Sequence, residues 1–360
     1  MTTTPELEIR EIAFPASVDL PDAADFVSLT ATRNEMYRER YRSDDMRLTP
    51  HELLVQYHNQ TDAVRRLWLL LIDDEPVGRL GLDLPNEPGS RVALISVELL
   101  ARAQGKGLGA AALSLAEREA AAAGRTRVQG WTAHPGSAPE RLAAPTGFGS
   151  IPLDRAARFL LGHGYALEQI ERKSVLTLPG SQARLRALLD EACAAAGPDY
   201  EFVSWELPTP TEFVDGYALV KSRMSTDIPS AGMEFDAEVW DAARVERHDR
   251  TFVAGGFDFQ VGAVRHVPSG QLVAFSELML GSDKRGTTSQ EDTLVLREHR
   301  GHRLGMLVKC ANLLAWRERF PDSPRVTTFN AEENRPMLDI NERMGFVPDV
   351  YEGAWQKDLA

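Results

Sequence analysis

The hydrophobic and polar positions of this chain form two similar series. In the first series, "ELEIREIAF" alternates like a strand, and "RLWLLLIDDEPVGRLGLDL" predicts two strands joined by a turn at Asp73–Pro76. Asp22–Tyr41 has helical periodicity, and "TPHELLVQYHN" predicts a helix with Thr49 as N-cap and Pro50 at its first position. The strand "RVALISVELL", a helix, the strand "RVQGWT", a helix around Leu153–Gly162 and the strand "LEQIERKSVLTL" follow.

The second series has the same order. "YEFVSWEL" predicts a strand, a helical region follows Thr211, and "QVGAVRHVPSGQLVAFSELML" predicts a hairpin turned at Pro268–Gly270. The strand "DTLVLRE" then leads to a helix that ends at Phe320 and to the strand "RVTTFN". A helix over Asn334–Met344 and a last strand near Ala354–Leu359 complete the series.

The repetition indicates a duplicated domain. Pro179–Gly180 and the alanine-rich helix Ala183–Ala196 separate the two series, so we expect domains at residues 1–179 and 180–360, with residues 180–198 as the junction helix. Gln104 and Gly164 lie 60 positions apart in the first half, and the equivalent residues Arg300 and Gly345 lie 45 positions apart in the second. The loop-like stretch "HPGSAPERLAAPTGFGS" accounts for the difference.

Composition narrows the class of protein. The 360 residues are 43% hydrophobic and 26% charged, with a formal net charge of −13. The acidic balance argues against nucleic-acid binding, and we find neither a membrane-spanning run nor a secretory signal. The two cysteines, Cys193 and Cys310, and the pair His299 and His302 lack the spacing of a metal site. We therefore expect a cytoplasmic protein that acts without a metal, a membrane or nucleic acid.

The chemistry begins with the glycine-rich stretch Gln104-Gly105-Lys106-Gly107-Leu108-Gly109, which follows a strand and opens a helix. It lacks the Lys and Ser/Thr of a P-loop. It also lacks the βαβ setting and the downstream acidic residue of a dinucleotide-binding fingerprint. It fits the pattern Gln/Arg-x-x-Gly-x-Gly/Ala, in which successive backbone N–H groups and a helix N-terminus can hold a pyrophosphate.

With this loop the chain resembles the GNAT N-acetyltransferase superfamily. The family's second motif, Asn-x-x-Ala-x-x-x-Tyr-x-x-x-Gly-Phe, is matched in spacing by the second half at Asn334, Met337, Asn341, Gly345 and Phe346. The first half has Leu153, Ala156, Leu160, Gly164 and Tyr165 at those places. The tandem arrangement is similar to the two-domain layout of mycothiol synthases.

The resemblance implies an α/β (mixed α+β) fold: two GNAT-like domains, each a mixed, mostly antiparallel sheet with a splayed parallel pair at the cofactor site and helices on its faces. It implies acetyl-CoA as co-substrate and direct acetyl transfer to the amine of a small molecule such as an amino sugar, antibiotic or metabolite. The cofactor-binding residues implied are Leu99, Leu100, Gln104, Gly105, Lys106, Gly107, Leu108 and Gly109 in the first domain, and Val295, Leu296, Arg300, Gly301, His302, Arg303, Leu304, Gly305 and Asn334 in the second.

Each half departs from the family pattern. Arg303 replaces the middle glycine of the second loop, and Leu153 replaces the asparagine in the first half. The tyrosine that protonates the leaving thiolate in the family is Leu160 in one half and Asn341 in the other. Three readings stay open: two active domains, one catalytic domain beside a degenerate one, or a CoA-binding sensor without turnover. We favour catalysis in the second domain, because it keeps Asn334 and has more carboxylates.

An amine must lose a proton before it attacks a thioester, which calls for a carboxylate. The carboxylates available on the predicted strands are Glu98, Glu277, Glu291 and Asp292. Tyr351, Tyr165 or water could substitute for the missing acid. The resemblance to the family implies that backbone N–H groups near Leu99–Leu100 and Val295–Leu296 polarise the thioester carbonyl. Acceptor specificity is expected from the less patterned segments 33–60 and 221–239.

Overall fold

A computed structural model describes residues 6–359, which form two compact units. The first unit contains residues up to 170, together with Ala231–Asp236 and residues 351–359. The second contains Glu171–Ser230 and Ala237–Val350. Residues 171–179 therefore belong to the second unit, and the last strand of the chain ends in the first.

Up to residue 177 the strands and helices follow the expected order. They are β1 (Leu7–Ile12), α1 (Ala24–Tyr41), α2 (Pro50–His58), β2 (Ala63–Ile72), β3 (Glu75–Pro85), β4 (Val92–Leu99), α3 (Leu108–Ala122), β5 (Arg127–Ala133), β6 (Arg141–Ala143), β7 (Ser150–Pro152), α4 (Arg155–Gly162) and β8 (Ala166–Thr177). The stretch expected as plain loop contains the short antiparallel hairpin of β6 and β7.

The rest of the chain repeats this order without such a hairpin. Its elements are α5 (Gln182–Ala196), β9 (Tyr200–Glu206), α6 (Thr211–Asp227), α7 (Ala242–Ala254), β10 (Asp258–His266), β11 (Gln271–Leu280), β12 (Thr288–Val295), α8 (Leu304–Arg319), β13 (Arg325–Ala331), α9 (Arg335–Met344) and β14 (Val347–Asp358). None of the helices within residues 6–359 is long and apolar enough to cross a membrane.

The sheet of the first unit has the order β1-β2-β3-β4-β5-β14. Its neighbours are antiparallel except β4 and β5, which run parallel and pair only from Val92 to Leu94, opposite Arg127 to Gln129. The final strand β14 pairs with β5 over residues 352–358. This unit is therefore closed by a strand from the far end of the chain.

The second unit has the corresponding order β8-β13-β12-β11-β10-β9. Here β12 and β13 form the parallel pair, joined only at Thr288 and Ser289 opposite Val326 and Thr327. Residues 171–177 of β8 pair antiparallel with β13. Both units thus have the mostly antiparallel sheet with one short parallel pair that the GNAT resemblance implies.

Both faces of the first sheet are covered, which explains the continuous apolar run in β2. Leu67, Leu69 and Leu71 pack with α1 and α2 in one buried cluster. The alternate residues Trp68, Leu70 and Ile72 pack with α3 in another. Burying each such side chain contributes about 1.5–3 kcal/mol, so these two layers hold β2 and its neighbours in register.

Local signals fix where the helices start. The Thr49 side chain accepts from the Glu52 N–H, and the Glu52 carboxylate accepts from the Thr49 N–H, so the expected capping box is present. Asp154 caps α4 through the N–H of Ala157 at 3.0 Å. By contrast, α3 and α8 begin without a side-chain cap, which leaves their first N–H groups available for a ligand.

Candidate functional site

A cleft opens in the first unit where β4 and β5 separate. Gly130 lies where the two strands still approach each other closely, one residue past their last pair: a Cβ atom there would lie 2.7 Å from the carbonyl oxygen of Ile95, so only glycine allows this approach. Beyond this point the strands enclose a cavity of about 460 Å³. Ile95, Val97 and Leu99 form one wall of the cavity. It is also lined by residues of β5, the glycine loop, α3 and α4, and by Arg40, Tyr165 and Trp355.

The glycine loop lies at one end of this cleft. Gly105 and Gly107 have φ angles of +79° and +91°, which favour glycine, and Gly107 is the N-cap of α3. The side-chain amide of Gln104 donates to the carbonyl of Leu99 at 3.3 Å and fixes the loop to the end of β4. The uncapped N-terminus of α3 therefore faces the cleft and is suited to an anion such as pyrophosphate.

The remaining first-domain residues named from the sequence divide by role. Gly109 lines the cleft, Lys106 is exposed, and the Leu108 side chain is buried in the core. The N–H of Leu100 donates to the carbonyl of Val77 at 2.9 Å and is not available to a substrate. Because successive N–H groups of a strand point to opposite edges, the N–H of Leu99 points toward the opening.

Polar groups of the sheet's other face reach the same cleft. Arg40 of α1 lines the cavity, although α1 and α4 cover opposite faces of the sheet. Its Nη1 atom donates to Oε1 of Glu98 at 2.9 Å, and Arg79 binds the other oxygen of Glu98. Burial alone would raise the pKa of Glu98, but Arg79 and Arg40 outweigh it and lower this pKa to about 2. Glu98 is therefore held ionised and is a weak base.

Glu352 of β14 is the carboxylate that the sequence analysis missed. It is buried and accepts a hydrogen bond from the hydroxyl of Tyr41. Burial raises its pKa, against the opposing effects of Tyr41 and Arg40. A carboxylate with a raised pKa is better suited to take a proton at neutral pH than Glu98. No local pattern marks Glu352, because β14 reaches the first unit from residues beyond 350.

Other protic groups lie nearby on the first unit. Tyr351 lies on the same face of β14 as Trp355 and packs against the apolar cluster that contains Trp355. The hydroxyl of Tyr165 donates to Glu117 at 3.0 Å, and burial beside that carboxylate raises the tyrosine pKa. Nδ1 of buried His134 lies 3.0 Å from Oδ2 of Asp154, while its Nε2 atom has no hydrogen-bond partner among residues 6–359.

The loop of the second unit copies the first one closely. Arg300 donates from Nε to the carbonyl of Val295 at 3.2 Å, and the N–H of Leu296 donates to Val273 at 2.9 Å. Gly301 and Arg303 have φ angles of +94° and +56°. Arg303 thus adopts the conformation of the glycine it replaces.

The side chains of this second loop have protein partners. Arg303 is exposed and lies 3.4 Å from Glu191. His302 packs beside Tyr200, with ring centroids 5.1 Å apart. Tyr200 also hydrogen-bonds to Nδ1 of His299 at 3.0 Å. These contacts give His302 and His299 a packing role, and no cluster of metal-ligating groups is found within residues 6–359.

Larger side chains occupy the second unit where the first has its cleft. The pairing register puts Phe329 at the place of Gly130. A Cβ atom on Gly305 would lie 2.9 Å from Cδ1 of Ile340. Lys309 takes the place of the cleft residue Leu113, is buried, and burial lowers its pKa to about 7.

The motif asparagines of α9 also differ from a ligand site. Asn341 donates to Asn330 at 2.7 Å, and its own amide oxygen is buried without a partner in the described chain. Asn334 is the N-cap residue of α9, but its side chain makes no capping hydrogen bond. Leu304, the first residue of α8, is a core residue.

The second-unit carboxylates named from the sequence form an ion-paired cluster. Lys221 Nζ lies 3.1 Å from Glu277 and 2.6 Å from Asp292. Burial opposes the charge on Lys221, but these two carboxylates outweigh it and raise the lysine pKa. The hydroxyl of Tyr217 also donates to Glu277 at 2.5 Å. Glu291 lies apart from this cluster, exposed and bound to Ser289.

Comparison with known proteins agrees with this geometry. Residues 27–148 match the family model described as "Acetyltransferase (GNAT) family". This segment is a GNAT-family domain. A tandem GNAT protein from the clavulanic acid biosynthesis pathway, solved without AcCoA, superposes with a TM-score of 0.73 at 21% identity, covering 98% of both chains. The fold of the whole chain is therefore similar to that of this tandem protein.

Two further solved structures have the same fold at lower similarity. A GCN5-related N-acetyltransferase from Sphaerobacter thermophilus has a TM-score of 0.58 at 13% identity, covering 98% of this chain and 95% of its own. A putative acetyltransferase from Pyrococcus horikoshii has a TM-score of 0.52 at 11% identity, covering 98% and 90%. No curated protein matches the chain.

Proposed function

We propose that this tandem GNAT protein is an acetyl-CoA-dependent N-acetyltransferase that acts on a small-molecule amine in its first unit. The observation that carries the proposal is the cleft between β4 and β5, which has the uncapped N-terminus of α3 at one end and Arg40 from the opposite face of the sheet in its lining. A thioester and an amine can therefore meet from opposite faces of the sheet. A place in amino-sugar, antibiotic or other metabolite chemistry is in keeping with the clavulanic acid pathway of the tandem neighbour.

The first unit's own groups suit the steps of this transfer. The backbone of residues 105–109 and the N-terminus of α3 would hold the pyrophosphate, and the N–H of Leu99 would polarise the thioester carbonyl. Glu352 would accept the proton of the attacking amine. Tyr351 stays our candidate for protonating the thiolate that leaves as the amide bond forms.

We propose that the second unit is degenerate as a cofactor site and contributes structure. It keeps the loop conformation, but Phe329 takes the place of Gly130 and Lys309 that of Leu113, two residues that line the first cleft. Its carboxylates Glu277 and Asp292 are engaged by Lys221. This assignment replaces the preference for the second domain that the sequence motifs favoured.

A cytoplasmic location is part of the proposal. Both cysteines are free, with Cys193 exposed and Cys310 buried, as a reducing compartment allows. Burial raises the pKa of the Cys310 thiol to about 12, which makes it unreactive. No covalent acyl-enzyme through this cysteine is therefore part of the mechanism.

The test is acetyl-CoA binding to the full chain, measured by native mass spectrometry and calorimetry. Gly107→Glu places a carboxylate where the pyrophosphate would bind, and we expect a loss of affinity of about tenfold or more. Gly124→Glu is the matched control, because Gly124 also has a positive φ angle of 77°, has open space around it and ends the same helix.

The second loop is tested in the same way with Gly301→Glu, whose position has φ of +94° and no atom within 4 Å. One acetyl-CoA per chain, lost in Gly107→Glu and kept in Gly124→Glu and Gly301→Glu, would support the first unit as the binding site. Binding lost only in Gly301→Glu would move the site to the second unit. A chain that binds no acetyl-CoA would contradict the proposed function.

A further inference from the structure

The first unit concentrates positive charge beside its cleft, although the whole chain has a net charge of −13. Arg40 and Arg79 share the single carboxylate of Glu98. Arg33, about two helical turns before Arg40, is buried and forms no ion pair with any residue that the structure describes. Three guanidinium groups thus lie around one firmly ionised carboxylate.

The neighbours of these arginines do not balance the charge. Arg33 donates to the carbonyl of Met46 at 2.7 Å and stacks over the Tyr37 ring, 4.0 Å from its centroid. Arg79 donates to the Tyr37 hydroxyl at 3.2 Å. These partners are neutral. Glu352 is the second carboxylate nearby, and even when it is ionised one positive charge remains in excess.

Arg40 presents the open part of this charge to the cleft. Its Nη1 atom binds Glu98, but Nε and Nη2 have no hydrogen-bond partner within residues 6–359. Its side chain is 21% exposed and contributes to the cavity lining. A guanidinium with free N–H groups is suited to a carboxylate, which it can bind with strong charge-assisted hydrogen bonds.

We propose that Arg40 binds a carboxylate of the ligand that enters the cleft from the α1 face. This inference rests on the proposed function and adds a substrate class to it. The carboxylate belongs either to the acceptor, an amino acid or similar amino-carboxylate, or to the acyl group of a dicarboxylic thioester. In both cases the bound anion offsets the excess positive charge, which is costly to bury unpaired.

The experiment compares ligands that differ only in this charge. On the acceptor side, glycine, L-alanine and β-alanine are each paired with their carboxamides, and binding to the full chain with acetyl-CoA present is measured by saturation-transfer NMR. On the donor side, calorimetry compares succinyl-CoA with butyryl-CoA, a neutral thioester of similar length. CoA release with each pair gives kcat/KM.

We expect the wild-type protein to prefer the carboxylate in one of the two arms, by about 10- to 100-fold, as for a lost hydrogen bond to a charged group. Arg40→Gln should abolish this preference, and Arg40→Lys, which keeps the charge without the planar fork, should restore part of it. Arg38→Gln is the control, since Arg38 lies on the same helix but is 58% exposed and pairs with Asp44. It should keep the full preference.

Equal behaviour of charged and neutral ligands in both arms of the wild-type protein would overturn the inference, as would a preference that survives in Arg40→Gln. The proposed function is judged separately, by acetyl-CoA binding and its loss in Gly107→Glu. If that binding holds while Arg40 proves indifferent to carboxylates, only the substrate class is refuted. Melting temperatures of Arg40→Gln and Arg40→Lys verify that both variants are folded.

Discussion

Replacing Gly130 by alanine tests whether the splay of β4 and β5 creates the cleft. The added Cβ atom would lie 2.7 Å from the carbonyl oxygen of Ile95, about 0.7 Å closer than the 3.4 Å at which ordinary van der Waals contact begins. Both atoms belong to strand backbones, so the overlap cannot be relieved by a side-chain rotation. The strands must move apart or twist, at a cost of about 1–3 kcal/mol, as for other overpacked sites.

Two measurements on the full chain check this. Urea denaturation, monitored by hydrogen exchange of residues 92–99 and 127–133, should show that the first unit of the variant opens at a lower urea concentration than in the wild type. Acetyl-CoA calorimetry should show weaker binding, because Gly130 also lines the cleft. Gly136→Ala is the control, as a Cβ atom there would meet nothing within 4 Å. Equal stability and equal affinity of the two variants would refute the account of the splay.

Three further predictions concern titrating groups. Glu98→Gln should destabilise the first unit by about 3 kcal/mol at neutral pH, because the pKa of Glu98 is lowered from 4.5 to about 2 in the folded protein. This stabilisation is complete above pH 4.5 and is lost as the pH falls through 2. Denaturation measured over a series of pH values checks the prediction, and a variant as stable as wild type would contradict it. Glu352→Gln should lower kcat/KM about 10²- to 10⁴-fold. Tyr41→Phe should move the acidic limb of the pH–rate profile to higher pH, because the Tyr41 hydrogen bond lowers the pKa of Glu352. An acidic limb that neither Glu352→Gln nor Tyr41→Phe changes would exclude Glu352 as the base. Lys309→Met should stabilise the second unit at pH 7 by a few kcal/mol, since a pKa lowered from 10.5 to about 7 makes wild-type stability rise from pH 7 to 10.5. Thermal melts check this prediction. Lys106→Met is the control, because Lys106 is exposed and its replacement should change the melting temperature little. Equal melting temperatures for the two variants would contradict the prediction.

The sequence was sufficient for the features that local patterns encode. The capping box at Thr49 and the glycine loop at Gln104–Gly109 lie where short-range periodicity and turn chemistry put them. The tandem layout followed from the repetition of these signals. Such features depend on residues a few positions apart, which a single sequence displays directly.

The composition of the site was less accessible, because it depends on tertiary neighbours. Glu98 was named as a base, but Arg79 and Arg40, which lower its pKa, come from another strand and a helix. Glu352 was missed and Tyr351 was assigned to the second domain, because position along the chain puts residues beyond 350 in the second half. Pairing of β14 with β5 joins residues more than 200 positions apart and leaves no periodic signal.

That pairing has a consequence for how the protein is made. During translation, residues 1–170 emerge from the ribosome long before residues 351–358, which supply the edge partner of β5. In the nascent first unit, one edge of β5 therefore remains unpaired until almost the whole polypeptide has been synthesised. A gene cut between the two repeats would yield a first half that lacks a strand of its own sheet, so the duplicated halves can no longer be inherited separately.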